Sequence, residues 1–183
     1  MSVEVEFGPD DIHELLEELG RRLLAREVTG TMYVAGGAAV ALEFPQRRAT
    51  RDIDALFGPA DTVREEATAM AVERGLPSNW LSDRVRAFMP PGHDAQARTY
   101  SVPGLEVSVA SPRYLLTMKI SAGRPQDLHD LILLFRELGI NTAEEAADIA
   151  QEVHGSDSIL LPPRDELILY AQGVLNRMRK PPA

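Results

Sequence analysis

The sequence predicts an α/β (α+β) fold: a small sheet with helices packed on it, followed by a helical C-terminal region. Three observations predict it. Short apolar runs of strand character at residues 31–35, 53–57 and 105–109 are separated by helical patterns. The pair Gly36-Gly37 closes the first run where a helix begins. From Pro112 onward the signals are helical.

Taken in order, residues 10–26 place Ile12, Leu15, Leu16, Leu19, Leu23 and Leu24 on one helical face, with Asp10 as the expected cap. Residues 31–35 form a buried strand that ends at the glycines. Residues 38–44 continue as a helix, which Pro45 stops. Residues 53–57 are the second strand, and 60–74 a surface helix ended by Gly75. Residues 86–104 hold three prolines and His93, and read as a partly mobile loop with short strands. In the third strand Leu105, Val107 and Val109 share one face, and Glu106 and Ser108 the other. Pro112 and Pro125 stand where prolines open helices. Thr142 and Glu145 make a capping box for a helix to about residue 153. A last helix, 164–179, aligns Leu167, Tyr170, Val174 and Met178. Trp80 is expected to anchor the core. The division this implies is a core at residues 1–110 and a helical region at 111–183, packed as one compact unit.

Composition narrows the class. At 183 residues the chain can bury its own core. It has no cysteine, which excludes disulfides and thiolate metal sites and fits a reducing compartment. The acidic start does not resemble a secretion signal, and the apolar runs fall short of a membrane span. A cytoplasmic protein without a membrane partner is expected. A formal net charge of −9 argues against a general nucleic-acid coat protein. It leaves room for a local basic patch, and Arg47, Arg48 and Arg51 form one beside two acids.

Those acids, Asp52 and Asp54, carry the clearest chemistry. Acids are depleted in strands, yet these two flank Ile53 and precede Ala55, Leu56 and Phe57. At i and i+2 on a strand, side chains share a face with Cα atoms about 6.5 Å apart, so both carboxylates reach one Mg²⁺. Gly36 and Gly37 let backbone N–H groups approach phosphate at a helix N-terminus; the bland alternative is a tight turn without a ligand. Together the two features suit a nucleoside triphosphate and its metal.

Other candidates are weighed against ordinary roles. Lys119 is the single charge between Arg113 and Arg124. Either its stem is buried with the amine in water, or the amine points at triphosphate oxygens. Asp127 sits in a helix first turn, where the dipole alone favours an acid, with Asp130 on the same face. Either acid can pair with Lys119 or Arg124. Glu106 is the acid on the third strand, where a solvated face is the simpler reading. His13, His93, His129 and His154 lack metal-binding spacing.

The Gly-Gly helix start followed by Asp-x-Asp resembles the nucleotidyltransferase superfamily, and within it the DUF6036 type, related to the AbiEii and MenT toxins. The closer likeness rests on residues 34–42 with 47–57, on 75–83 (GLPSNWLSD), and on 111–119 continuing to 127–131. The resemblance implies a small mixed sheet and NMP transfer from an NTP to an acceptor hydroxyl, with Mg²⁺ or Mn²⁺ on Asp52 and Asp54. Gly36, Gly37 and Lys119 would hold the phosphates, Asp127 would be the functional helix acid, and Arg47, Arg48 and Arg51 would guide an anionic acceptor. Many relatives in the superfamily place a third metal ligand or base on the third strand, which here points to Glu106. The acceptor implied is the 3′ end of tRNA, making the chain a toxin controlled by an antitoxin. Ala38 stands where related toxins often carry Ser or Thr. Modification of a small molecule or protein, or a non-catalytic nucleotide sensor, are the alternatives.

Overall fold

A computed structural model describes residues 5–44 and 49–179. Pro45, Arg47 and Arg48 lie outside the described residues. The chain divides into two compact units, Met1–Ala87 with Gln96–Ala110, and Phe88–Ala95 with Ser111–Ala183.

The first unit is built on a five-stranded mixed sheet. Its strands are β1 (Gly30–Ala35), β2 (Ile53–Gly58), β3 (Leu81–Ser82), β4 (Arg98–Val102) and β5 (Leu105–Val109), in the order β3-β2-β1-β5-β4. The central strand β1 runs antiparallel to β2 and parallel to β5. The alternation in β5 is real: Leu105, Val107 and Val109 are buried, Glu106 is exposed and Ser108 half-buried.

Helix α1 (Pro9–Ala25) buries Ile12, Leu15, Leu16, Leu19 and Leu23. Its N-cap is Gly8 rather than Asp10: Pro9 fixes the first helical residue, and the Asp11 carboxylate accepts the Gly8 N–H at 2.8 Å. Gly20 exists for contact, since a Cβ there would lie 2.2 Å from the Pro103 carbonyl oxygen. Helix α2 (Gly36–Glu43) follows β1 directly. Helix α3 (Ala60–Arg74) ends at the left-handed Gly75, as the sequence predicts, and Arg22 of α1 bonds Glu18 and Glu73 to latch the two helices. Trp80 is 1% exposed and donates to the Ala67 carbonyl at 2.9 Å, so it is a core anchor.

Residues 86–104 are more regular than expected, holding a 3₁₀ turn (Arg84–Phe88 reaches into them) and all of β4. β4 is an edge strand exposed at Arg98, Thr99 and Ser101, which leaves no apolar alternation to read.

The second unit is helical. It comprises α4 (Pro112–Ala122), a 3₁₀ turn (Pro125–Asp127), α5 (Leu128–Glu137), α6 (Ala143–His154) and α7 (Arg164–Met178). Ser111 caps α4, and its own N–H is held by the buried Asp94 carboxylate at 2.8 Å. The Thr142–Glu145 capping box opens α6. Among the described residues, no helix is long and apolar enough to cross a membrane.

Candidate active site

Each unit holds one cluster of the predicted residues. In the first, β1 carries its backbone into α2 through Gly36, whose φ of +59° is left-handed. The first turn of α2 carries no acid, and among the described residues no side chain caps it. β2 brings Asp54 directly opposite Ala35, the last residue of β1. A Cβ on Gly36 would stand 3.3 Å from Asp54 Oδ2, so glycine serves both the backbone turn and the carboxylate beside it.

Asp52 is half-buried one residue before β2. Burial raises its pKa, the Asp54 charge raises it further, and Arg84 opposes both. The two acids therefore feel each other, and a cation between them would relieve the repulsion. The donor set fits a hard divalent ion shared with a substrate. Among the described residues no group of three His, Cys, Asp or Glu forms a metal cage. Mg²⁺ is commonly held by one or two carboxylates, with waters and substrate phosphates completing the octahedron.

Two neighbours of this pair escaped the sequence reading. Ser82 lies opposite Asp54 in the β2–β3 pairing, and its hydroxyl donates to Asp54 Oδ1. Arg84 attracts Asp52. Ser82 falls inside the GLPSNWLSD stretch, but a two-residue strand shows no period to reveal its partner. Arg51 is exposed immediately before Asp52, while Arg47 and Arg48 lie outside the described residues.

Glu106 is exposed and stands opposite Thr31, four residues before Ala35 on β1, or about 13 Å along the strand. That register separates it from Asp54. Ala110 N–H bonds the Val34 carbonyl, so the residue just past β5, at the level of the pair, is an alanine and not an acid.

In the second unit Lys119 neither snorkels nor stands alone. It is 8% exposed, and its Nζ lies 2.6 Å from Asp127 Oδ1 and 2.8 Å from Asp130 Oδ2. Both helix acids pair with it. Tyr170 of α7 donates its hydroxyl to the Arg124 carbonyl at 2.9 Å; burial and the Asp127 charge raise its pKa.

Searches of curated proteins and of solved structures returned no match. A family model described as "Nucleotidyltransferase of unknown function (DUF6036)" matches residues 10–153, which include both clusters. With most of its length matched, and with Asp-x-Asp set beside a glycine-opened helix, the chain belongs to the DUF6036 nucleotidyltransferase family.

Proposed function

We propose that this chain is a metal-dependent transferase of nucleoside monophosphate from an NTP to an acceptor hydroxyl. The observation that carries the reading is the Asp52–Asp54 pair beside the uncapped first turn of α2. The N–H groups of Gly36 and Gly37 meet triphosphate oxygens at the positive end of the helix. Asp52 and Asp54 hold Mg²⁺ or Mn²⁺, which when bound neutralises the triphosphate and stabilises charge in the transition state. The acceptor oxygen bonds to the α-phosphorus, the bond from that phosphorus to the bridging oxygen breaks, and pyrophosphate leaves. The hydroxyl proton passes to solvent. Ser82 holds the Asp54 carboxylate in its orientation. By likeness to toxin residues, Lys119 belongs to the phosphate-holding set, and Asp127, which pairs with it, is the functional helix acid.

For the acceptor we propose RNA, with the 3′ end of tRNA as the likeness to MenT-type toxins implies, and an antitoxin as the controlling partner. Arg47, Arg48 and Arg51 supply the local positive charge that RNA needs in an acidic chain. Two facts favour a second reading, a nucleotide sensor without catalysis: Ala38 lacks the toxin hydroxyl, and the β1–β5 register keeps Glu106 from joining the Asp52–Asp54 pair.

The experiment is incubation of the purified chain with each labelled NTP, Mg²⁺ or Mn²⁺, and total RNA. Label transferred to RNA, and absent with Asp54→Ala, supports the transferase. NTP binding without transfer to RNA, protein or small-molecule acceptors supports the sensor.

A further inference from the structure

α7 carries a feature that the nucleotide chemistry does not use, and it lies beyond the residues matched by the family model. An apolar groove of roughly 630 Å³ opens between α7 and the Pro125–Asp127 turn. Its α7 wall is one helical stripe: Glu166, Leu169, Tyr170, Gly173, Val174 and Arg177. Leu169 projects from it, 75% exposed, while Val174 is 1% exposed and forms its floor.

The stripe is self-complementary about one point. A twofold axis across α7 midway between positions 171 and 172 exchanges 166 with 177 and 170 with 173, the positions nearest the centre of the stripe. Laid antiparallel on a second copy, Glu166 meets Arg177 and Tyr170 meets Gly173, while the exposed Leu169 of each copy lies on the same flank of the contact. Acid faces base, and large faces small. Among the described residues neither Glu166 nor Arg177 forms a salt bridge within the chain.

Gly173 adds an independent point. Glycine inside a helix is unfavourable relative to alanine, yet a Cβ at Gly173 would meet nothing within 4 Å. The fold of one chain gives no reason for it. Close approach of another surface does.

We propose that the α7 groove is an isologous interface through which two copies of this chain pair antiparallel, helix on helix. In a twofold interface residue i contacts j while j contacts i, and the two pairs above obey that rule. From Glu166 to Arg177 the helix rises about 16 Å, so the contact is small and the dimer reversible, in the ~micromolar range.

Sedimentation equilibrium of the full chain over a wide concentration range tests this. The wild type should pass from monomer to dimer. Leu169→Glu, at a surface position that leaves the fold intact, should weaken pairing at least about tenfold. Glu166→Arg and Arg177→Glu should each weaken it, and the double reversal should restore it, because each chain then offers the swapped charges to its twin. Gly173→Ala should raise the melting temperature of the monomer while weakening the dimer, a divergence that a purely intramolecular role cannot give. A chain that stays monomeric throughout overturns the proposal and leaves the groove to a different protein. A dimer indifferent to Leu169→Glu, or one not restored by the double reversal, overturns it equally.

Discussion

At the start of β2, Asp52 and Asp54 repel each other, and Arg84 at the surface opposes this. In the helical unit, Asp127 and Asp130 instead close on Lys119 Nζ at 2.6 and 2.8 Å, with all three side chains largely out of water. The first arrangement keeps an electrostatic debt that an outside cation can relieve. The second is largely compensated within the chain. Paired acids therefore carry different messages according to what already faces them. A strained pair at a strand end beside an uncapped helix points to a ligand, whereas a lysine-bridged pair serves the fold first.

Breaking the first cluster should have the largest effect on transfer. Asp52→Ala or Asp54→Ala should lower NMP transfer at least about a hundredfold, as loss of an electrostatic stabiliser does. Metal-free thermal stability should hold or rise, because repulsion is removed. A melting scan beside the labelled-NTP assay reads both, and full activity in Asp54→Ala would sink the mechanism.

Breaking the second cluster should strike stability. Lys119→Met leaves the buried Asp130 and the part-buried Asp127 carboxylates facing each other without their cation, a loss of about 3 kcal/mol. Adding Asp127→Asn and Asp130→Asn to that variant should recover much of it. Urea unfolding measures each step, and a single mutant as stable as wild type would mean the triad is not a structural unit.

Ser82→Ala sharpens the first cluster without dismantling it. Loss of the hydrogen bond to Asp54 Oδ1 should weaken metal binding about tenfold. Ser82→Thr, which keeps the hydroxyl, should recover most of that. Mn²⁺ titration distinguishes them.

The smallest effects come from pH, and the two units should respond with opposite sign. The folded pKa of Asp52 is raised above the ordinary 3.8, so the folded state binds more protons between that value and the raised one. Stability without metal therefore falls as pH rises through this window, and Asp52→Asn should abolish the effect. Burial lowers the pKa of His154 below the ordinary 6.5, so here the unfolded state binds more protons. Stability is lost as pH falls below about 6.5, and His154→Gln should flatten that slope. Melting temperatures across pH, variant against wild type, check both signs.

The sequence exposed what repeats or punctuates. Alternation marked β5, Gly75 the end of α3, and Thr142 with Glu145 the start of α6. The Gly-Gly and Asp-x-Asp motifs located the β1–α2 turn and β2 because their residue types are rare in those settings. What stayed hidden depends on pairing between distant segments. β4 has no apolar period, Gly8 caps α1 through a carboxylate three residues on, and Ser82 acquires meaning only when β3 lies beside β2. The Lys119 triad was half legible: helical spacing put Asp127 and Asp130 within reach, but burial of the amine depends on helices packed from later in the chain.

The absence of a loop between β1 and α2 has a thermodynamic consequence. β1 is hydrogen-bonded to neighbours on both sides, so the backbone leading into Gly36 is fixed before any ligand arrives. Where a flexible glycine loop must be ordered on binding, each immobilised residue subtracts about 1–2 kcal/mol from affinity. Here that entropy is already lost during folding, so an anion binding at this turn would meet little conformational penalty.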